Sequence, residues 1–206
     1  REGKTAMITV ILPDGSKKQL EKGSSAFDLA KNISRSLAKV AVAAKVNGQV
    51  VDLKTSLSDQ DKVELLSKEN EEALEVLRHS AAHLMADAIL RLFPKAQLTI
   101  GPVIDDGFYY DIFLAEGKIS PEDFKAIEKQ MLRLAKQSHP FERCHSDYSE
   151  ANQFYKEYQK IDGGHNKFKQ EIVADIKGRD EELTFYKHGD FIDLCRGPHV
   201  PHTGWL

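Results

Sequence analysis

The chain has 206 residues, 29 Lys and Arg against 32 Asp and Glu, and a formal net charge of −3. Apolar residues make up 41% and charged residues 30%, which places it among globular chains with material for one large core or two small ones, outside the disordered class. The apolar run Val40 to Ala44 is only five residues long, far short of the roughly 18 that a membrane helix needs. The opening residues lack the apolar stretch of a signal peptide. Two cysteines, Cys144 and Cys195, are too few for a disulfide framework and suit a reducing compartment. The expected location is cytoplasmic, with no membrane partner.

Charge divides unevenly: residues 1–66 carry 11 basic and 8 acidic side chains, the remainder 18 and 24. A basic module ahead of an acidic one fits a nucleic-acid partner, and equally two solvated surfaces of different composition. Residues 1–6 read as a leader without a partner pattern. Met7 to Leu12 reads as a strand, Pro13-Asp14-Gly15-Ser16 as a turn, and Lys17 to Leu20 as its return. Ser24 and Ser25 offer caps to a helix through Ala26, Phe27, Leu29, Ala30 and Ile33. Val40 to Val46, the Asn47-Gly48 turn, Gln49 to Val51 and Lys62 to Leu66 supply further strands. Strands around one helix in so short a stretch predict a small β-grasp (ubiquitin-like) domain over 7–67.

A second domain is expected over 68–206. Asn70 is placed to cap a long helix whose first turn holds Glu71 and Glu72, and Pro94 ends it. Leu74, Leu77, Ala81, Leu84 and Ala88 form one apolar stripe, and Val76, His79, His83, Ala86 and Leu90 a second on the opposite side. A helix apolar on two faces belongs in the middle of a domain. Gln97 to Ile104 and Gly107 to Phe113 read as strands. Ser120-Pro121 opens a helix with Phe124, Ile127, Met131 and Leu134 inward, and Ser149 opens another through Phe154, Tyr155 and Tyr158, broken at Gly163-Gly164. Lys167 to Ile176 reads as helix or strand, and Leu183 to Leu194 as a hairpin around His188-Gly189-Asp190. The whole is α+β, with a central buried helix packed on antiparallel sheet.

His79-Ser-Ala-Ala-His83 sets two imidazoles one turn apart on one helix face. Taken alone, that pattern is also that of two hydrogen-bonded core histidines. Cys195-Arg-Gly-Pro-His199 repeats the separation, so His79, His83, Cys195 and His199 together form a tetrahedral zinc set. Asp193 precedes Cys195 by two positions, which strengthens the case for one shared site.

The paired histidines, the run Ile100-Gly-Pro-Val-Ile-Asp-Asp-Gly-Phe-Tyr-Tyr-Asp111 and the run Phe191-Ile-Asp-Leu-Cys-Arg-Gly-Pro-His199 resemble the editing domain of the threonyl-tRNA synthetase family. The module before them is similar to that family's TGS-type β-grasp domain. No segment resembles a class II catalytic core, so an N-terminal fragment is expected that neither uses ATP nor charges tRNA; ATP and zinc belong to that missing core. The resemblance implies hydrolysis of the seryl ester on tRNA for threonine, because serine differs from threonine by one methyl, worth only about 1–3 kcal/mol in a binding pocket. It assigns His79 and His83 to water and proton transfer, and matches Lys169 to a site lysine, with Lys167 two residues away as a competing match. Asp193 is expected to meet the serine amino group or hydroxyl, unless it serves a turn or cap, and Cys195 and His199 to wall the pocket without a covalent step. Phe108, Tyr109 and Tyr110 are candidates to stack on the terminal adenine, and Arg196 to contact phosphate or ribose or else to form a structural ion pair. The alanyl relatives hold metal with the equivalent donors, whereas a lysine ammonium would repel a divalent cation. The expectation is therefore no tightly bound metal, with zinc at the four donors as the alternative. Partners implied are the seryl-tRNA acceptor end and the rest of a synthetase chain. Two other readings are a non-catalytic zinc- or RNA-binding module and an alanyl-type or free-standing editing deacylase.

Overall fold

A computed structural model describes residues 6–157 and 166–206. The leader residues 1–5, Tyr158 and the Gly163-Gly164 break lie outside the described residues. The chain forms two compact units, one running through Leu77 and including Gly197–Pro201, the other Arg78–Arg196 with His202–Leu206.

In the first unit, β1 (Met7–Ile11) and β2 (Lys17–Glu21) pair antiparallel across the Pro13–Ser16 turn. A second antiparallel set runs in the order β4 (Gln49–Val51), β3 (Ala41–Val46), β5 (Val63–Ser67). A parallel bridge from Ile11 to Lys62 joins the two sets, which is the strand arrangement of a β-grasp. Helix α1 (Ala26–Ile33) begins at a complete capping box: Ser25 accepts from the Asp28 amide, and Asp28 accepts from the Ser25 amide. Its Ala26, Leu29 and Ala30 are buried with Val10, Leu20, Ala44 and Val63. A short helix α2 (Arg35–Val40), capped by Ser34, occupies the approach to β3, so that strand starts at Ala41 and Val40 is exposed.

Helix α3 (Glu71–Leu92) carries the chain into the second unit. Asn70 precedes it, but the side-chain oxygen of Asn70 accepts from the Ser67 amide and hydroxyl rather than from the new helix. Leu74 is exposed, and the early turns bury Ala73, Val76 and Ser80 instead. From Ala82 onward the helix is buried almost all round, as its two apolar stripes require. One side, through Leu84, Ala88 and Ile89, packs on Ile127, Leu134 and Ala135 of α4 (Phe124–Lys136). The other, through Ala86, packs on Leu98 of β6 (Gln97–Leu98) and on Phe191. Phe124, expected inward, is 53% exposed; it is the first residue of α4, following a 3₁₀ turn at Pro121–Asp123.

The two strands expected over 97–113 are four short ones: β6, β7 (Val103–Ile104), β8 (Gly107–Phe108) and β9 (Ile112–Phe113). The first pairs with the last and the middle two form a tight hairpin at Asp105-Asp106. The main sheet is β10 (Glu142–His145), β11 (Thr184–His188) and β12 (Phe191–Leu194), all antiparallel. Helices α5 (Tyr148–Glu157) and α6 (Lys167–Gly178) pack Ala151, Tyr155, Val173 and Ile176 against its Phe185. The ambiguous stretch from Lys167 is thus helix, started by Asn166, whose side chain accepts from the Lys169 amide. No helix among the described residues is long and apolar enough to cross a membrane.

Candidate active site in the second unit

The site grows from three elements. Helix α3 supplies His79 and His83, whose rings meet edge-on at 5.3 Å. The end of β12 and the residue after it supply Asp193 and Cys195, two positions apart and therefore on one side of the strand. The first turn of α6 supplies Lys169. Cys195 Sγ lies 3.2 Å from His79 Nε2, a hydrogen-bonding distance for sulfur. His79, His83 and Cys195 offer ligand atoms within 4.8 Å of one another.

Beside them is a buried charge pair. Lys169 Nζ donates to Asp193 Oδ2 at 3.0 Å, with the two side chains only 4% and 2% exposed. The Tyr110 hydroxyl donates to the same oxygen at 3.1 Å. Oδ1 accepts from the Tyr155 hydroxyl at 2.7 Å and from the Leu194 amide at 2.9 Å. Four donors compensate one desolvated carboxylate, which is what makes its burial tolerable. Burial, followed by the neighbouring Asp193, pushes both tyrosine hydroxyls well above their ordinary range, so both stay protonated donors. Burial foremost, then the charges of His79, His188 and Lys169, holds His83 well below the usual imidazole range, so it is neutral at pH 7 and a weak base.

Other expected residues lie elsewhere. Lys167, the competing lysine, is exposed and sits over the Phe168 ring, 5.3 Å from its centroid. Arg196 is exposed and ion-paired with Glu181. Tyr109 is 49% exposed. Phe108 and Tyr110, in contrast, line a cavity of about 840 Å³ together with Met85, Ile89, Ile112 and Met131. Tyr110 thus both lines the cavity and donates its hydroxyl to Asp193. His199 is buried in the segment grouped with the first unit, where its amide donates to Asp52.

Tyr155 and a second polar pair escaped the sequence reading. His188 is buried between Phe141 and Phe191, with Nε2 3.3 Å from Asp87 Oδ2, while Asp87 Oδ1 accepts from Arg91 at 2.6 Å. Phe191 also meets His83 edge-on at 6.0 Å. The signal was present in the spacing: His79, His83, Asp87 and Arg91 recur every four residues along the helix, whose second half is largely apolar.

The donor types suit zinc, and Asp193 offsets the Lys169 charge, so the repulsion expected from a lone ammonium is weakened. The 3.2 Å between Cys195 and His79 is nevertheless a hydrogen-bond contact, tighter than the ~3.6 Å that tetrahedral zinc bonds to sulfur and nitrogen would set.

Comparison with known proteins agrees with this architecture. A family model described as "TGS domain" matches residues 8–67, and one described as "Threonyl and Alanyl tRNA synthetase second additional domain" matches residues 183–205. The threonine–tRNA ligase of Streptococcus equi subsp. zooepidemicus is 43% identical over 198 residues, covering 96% of this chain and 29% of that protein. That of Maricaulis maris is 46% identical over 198 residues, 96% of this chain and 30% of the relative. That of Citrifermentans bemidjiense is 45% identical over 199 residues, 97% and 30% respectively. The chain spans about 30% of the length of these curated relatives. With both domain types present in order and this level of identity along nearly its whole length, the chain belongs to the threonyl-tRNA synthetase family, as the stretch that joins a TGS domain to the editing-type second additional domain.

Proposed function

We propose that this chain is an aminoacyl-tRNA deacylase that hydrolyses the ester joining serine to the terminal ribose of tRNA for threonine. The observation that carries the reading is the meeting of His79, His83 and Cys195 on one side and the buried Lys169–Asp193 pair, two residues from Cys195, on the other. Ester hydrolysis needs a held water, a proton acceptor and a positive group for the developing oxyanion. His79 and the neutral His83 hold the water, and an imidazole nitrogen takes its proton as it attacks the carbonyl carbon. Lys169 faces the oxyanion, and the ribose oxygen leaves with the proton that the imidazole took from the water. Asp193 Oδ2 receives the serine ammonium, with Tyr110 and Lys169 yielding part of their hold on it. Cys195 walls the pocket. Water attacks directly, so no acyl-cysteine forms.

The terminal adenosine enters the cavity beside Tyr110 and Phe108, whose rings offer stacking faces. Arg196 and Tyr109, both exposed, meet the ribose-phosphate backbone as it approaches. Tight RNA binding, threonine activation and tRNA charging fall to the remaining length of the larger synthetase chain, with its ATP and zinc. In this unit the donors work without a metal; zinc held by His79, His83 and Cys195 is the competing arrangement. The test is hydrolysis of seryl-tRNA by the purified chain, with metal content measured on chelator-free protein. Serine release that His79→Ala abolishes, with under a tenth of a zinc per chain, supports the reading. One zinc per chain without hydrolysis replaces it with a structural metal module.

A further inference from the structure

Tyr155 lies on α5, outside every stretch that marked the site in sequence, and it is fully buried. Its ring stacks on Phe185 at 6.0 Å and meets Phe154 edge-on at 5.0 Å. A phenylalanine would pack there equally well, so the hydroxyl is what packing leaves unexplained. That hydroxyl is satisfied twice: it donates to Asp193 Oδ1 at 2.7 Å and accepts from the Leu194 amide at 2.8 Å. The same amide also reaches Asp193 Oδ1, closing a small ring of three groups around one carboxylate oxygen. The other oxygen, Oδ2, is the one shared by Lys169 and by Tyr110, the cavity-lining residue.

The two oxygens thus have different surroundings. Oδ1 is tied to the protein's own framework, helix on one side and strand backbone on the other. Oδ2 is bonded to groups that belong to the site. The terminal torsion of an aspartate is broad and roughly two-fold, so without the Tyr155 hydroxyl Oδ1 keeps only the Leu194 amide, and the carboxylate is freer to turn and let Lys169 span both oxygens. We infer that Tyr155 is a positioning residue: its hydroxyl fixes the rotation of the Asp193 carboxylate so that Oδ2 is presented to the ammonium group of the aminoacyl ester. This rests on the deacylase reading above. Tyr155 touches neither substrate nor water; it acts through Asp193.

The test is Tyr155→Phe in the whole chain, assayed on two esters of the same tRNA, seryl and 3-hydroxypropionyl, the second lacking the amino group. Loss of one buried hydrogen bond to a charged group should lower kcat/KM for the seryl ester about tenfold. Hydrolysis of the deamino ester, which gives Asp193 no ammonium to hold, should change less than about twofold. An equal fall on both esters overturns the inference and makes Tyr155 a packing residue. Unchanged rates on both also overturn it while leaving the deacylase reading intact. If the unmodified chain leaves the seryl ester whole, the deacylase reading fails first and the inference with it.

Discussion

The Lys169–Asp193 pair sets the sharpest energetic demand in the molecule. Its side chains are 4% and 2% exposed and meet at 3.0 Å, so neither charge has water to fall back on. Lys169→Met leaves the Asp193 carboxylate with Tyr155, Tyr110 and the Leu194 amide as donors. The cost should lie at the low end for breaking a buried pair, about 3 kcal/mol. Asp193→Leu is worse, because it strands an ammonium and removes the acceptor of two buried tyrosine hydroxyls; about 5 kcal/mol is expected. The double variant removes both charges together, so its cost should fall short of the sum by about 2–3 kcal/mol. Urea unfolding followed by fluorescence of Trp205, the sole tryptophan and a member of the second unit, reads this cycle directly. Single costs below about 1 kcal/mol that add without coupling would refute the claim that a buried ion pair organises this site.

Gly101 lies against the Tyr110 ring, and a Cβ there would sit 2.5 Å from Tyr110 Cε2. Gly101→Ala should displace that ring, cost about 1–3 kcal/mol in urea unfolding and slow deacylation. Gly178→Ala meets open space and should stay within about 0.5 kcal/mol; equal effects at both glycines would contradict the contact. In the first unit, the Lys31 ammonium and the Ser25 amide and hydroxyl hold Asp28 down to about 2. Because its folded value is depressed, its contribution is present above the ordinary carboxylate range near 3.8 and is lost as the pH falls from there toward about 2. Asp28→Asn should therefore lower stability at pH 7 by about 1 kcal/mol, discounted for the half-exposed carboxylate, and the difference in thermal melting should shrink below about pH 3.8 and close near about pH 2.

Local signals carried well from sequence to structure where a motif is self-contained. The Ser25 cap, the Asn47-Gly48 turn, the Asp105-Asp106 hairpin and the His188–Asp190 turn each depend on residues within a few positions, and each forms where expected. Strand β10 was invisible because Glu142-Arg-Cys-His145 has no apolar alternation; it is an edge strand specified by its pairing with β11. Helix α2 was missed because Val40 was read with the β-branched strand that follows, although Ser34 caps the helix through the Leu37 amide. At the site, spacing exposed the histidines and Cys195, since each pair recurs within one helical turn or one short run. The carboxylate's partners could not be read this way: Tyr110, Tyr155 and Lys169 lie 83, 38 and 24 residues from Asp193. Only tertiary packing brings them to one oxygen pair. Asp193 accordingly looked like a group awaiting substrate, whereas it is already held by four donors.

The measurement that bears most directly on the proposed activity is the hydrolysis rate of seryl-tRNA against threonyl-tRNA, both on tRNA for threonine, by the purified chain and its His79→Ala variant. The proposal predicts serine release well above the uncatalysed rate, threonyl-tRNA spared by at least about tenfold, the span a single methyl commands, and loss of activity in the variant. Equal turnover of both esters, or full activity without His79, would contradict it.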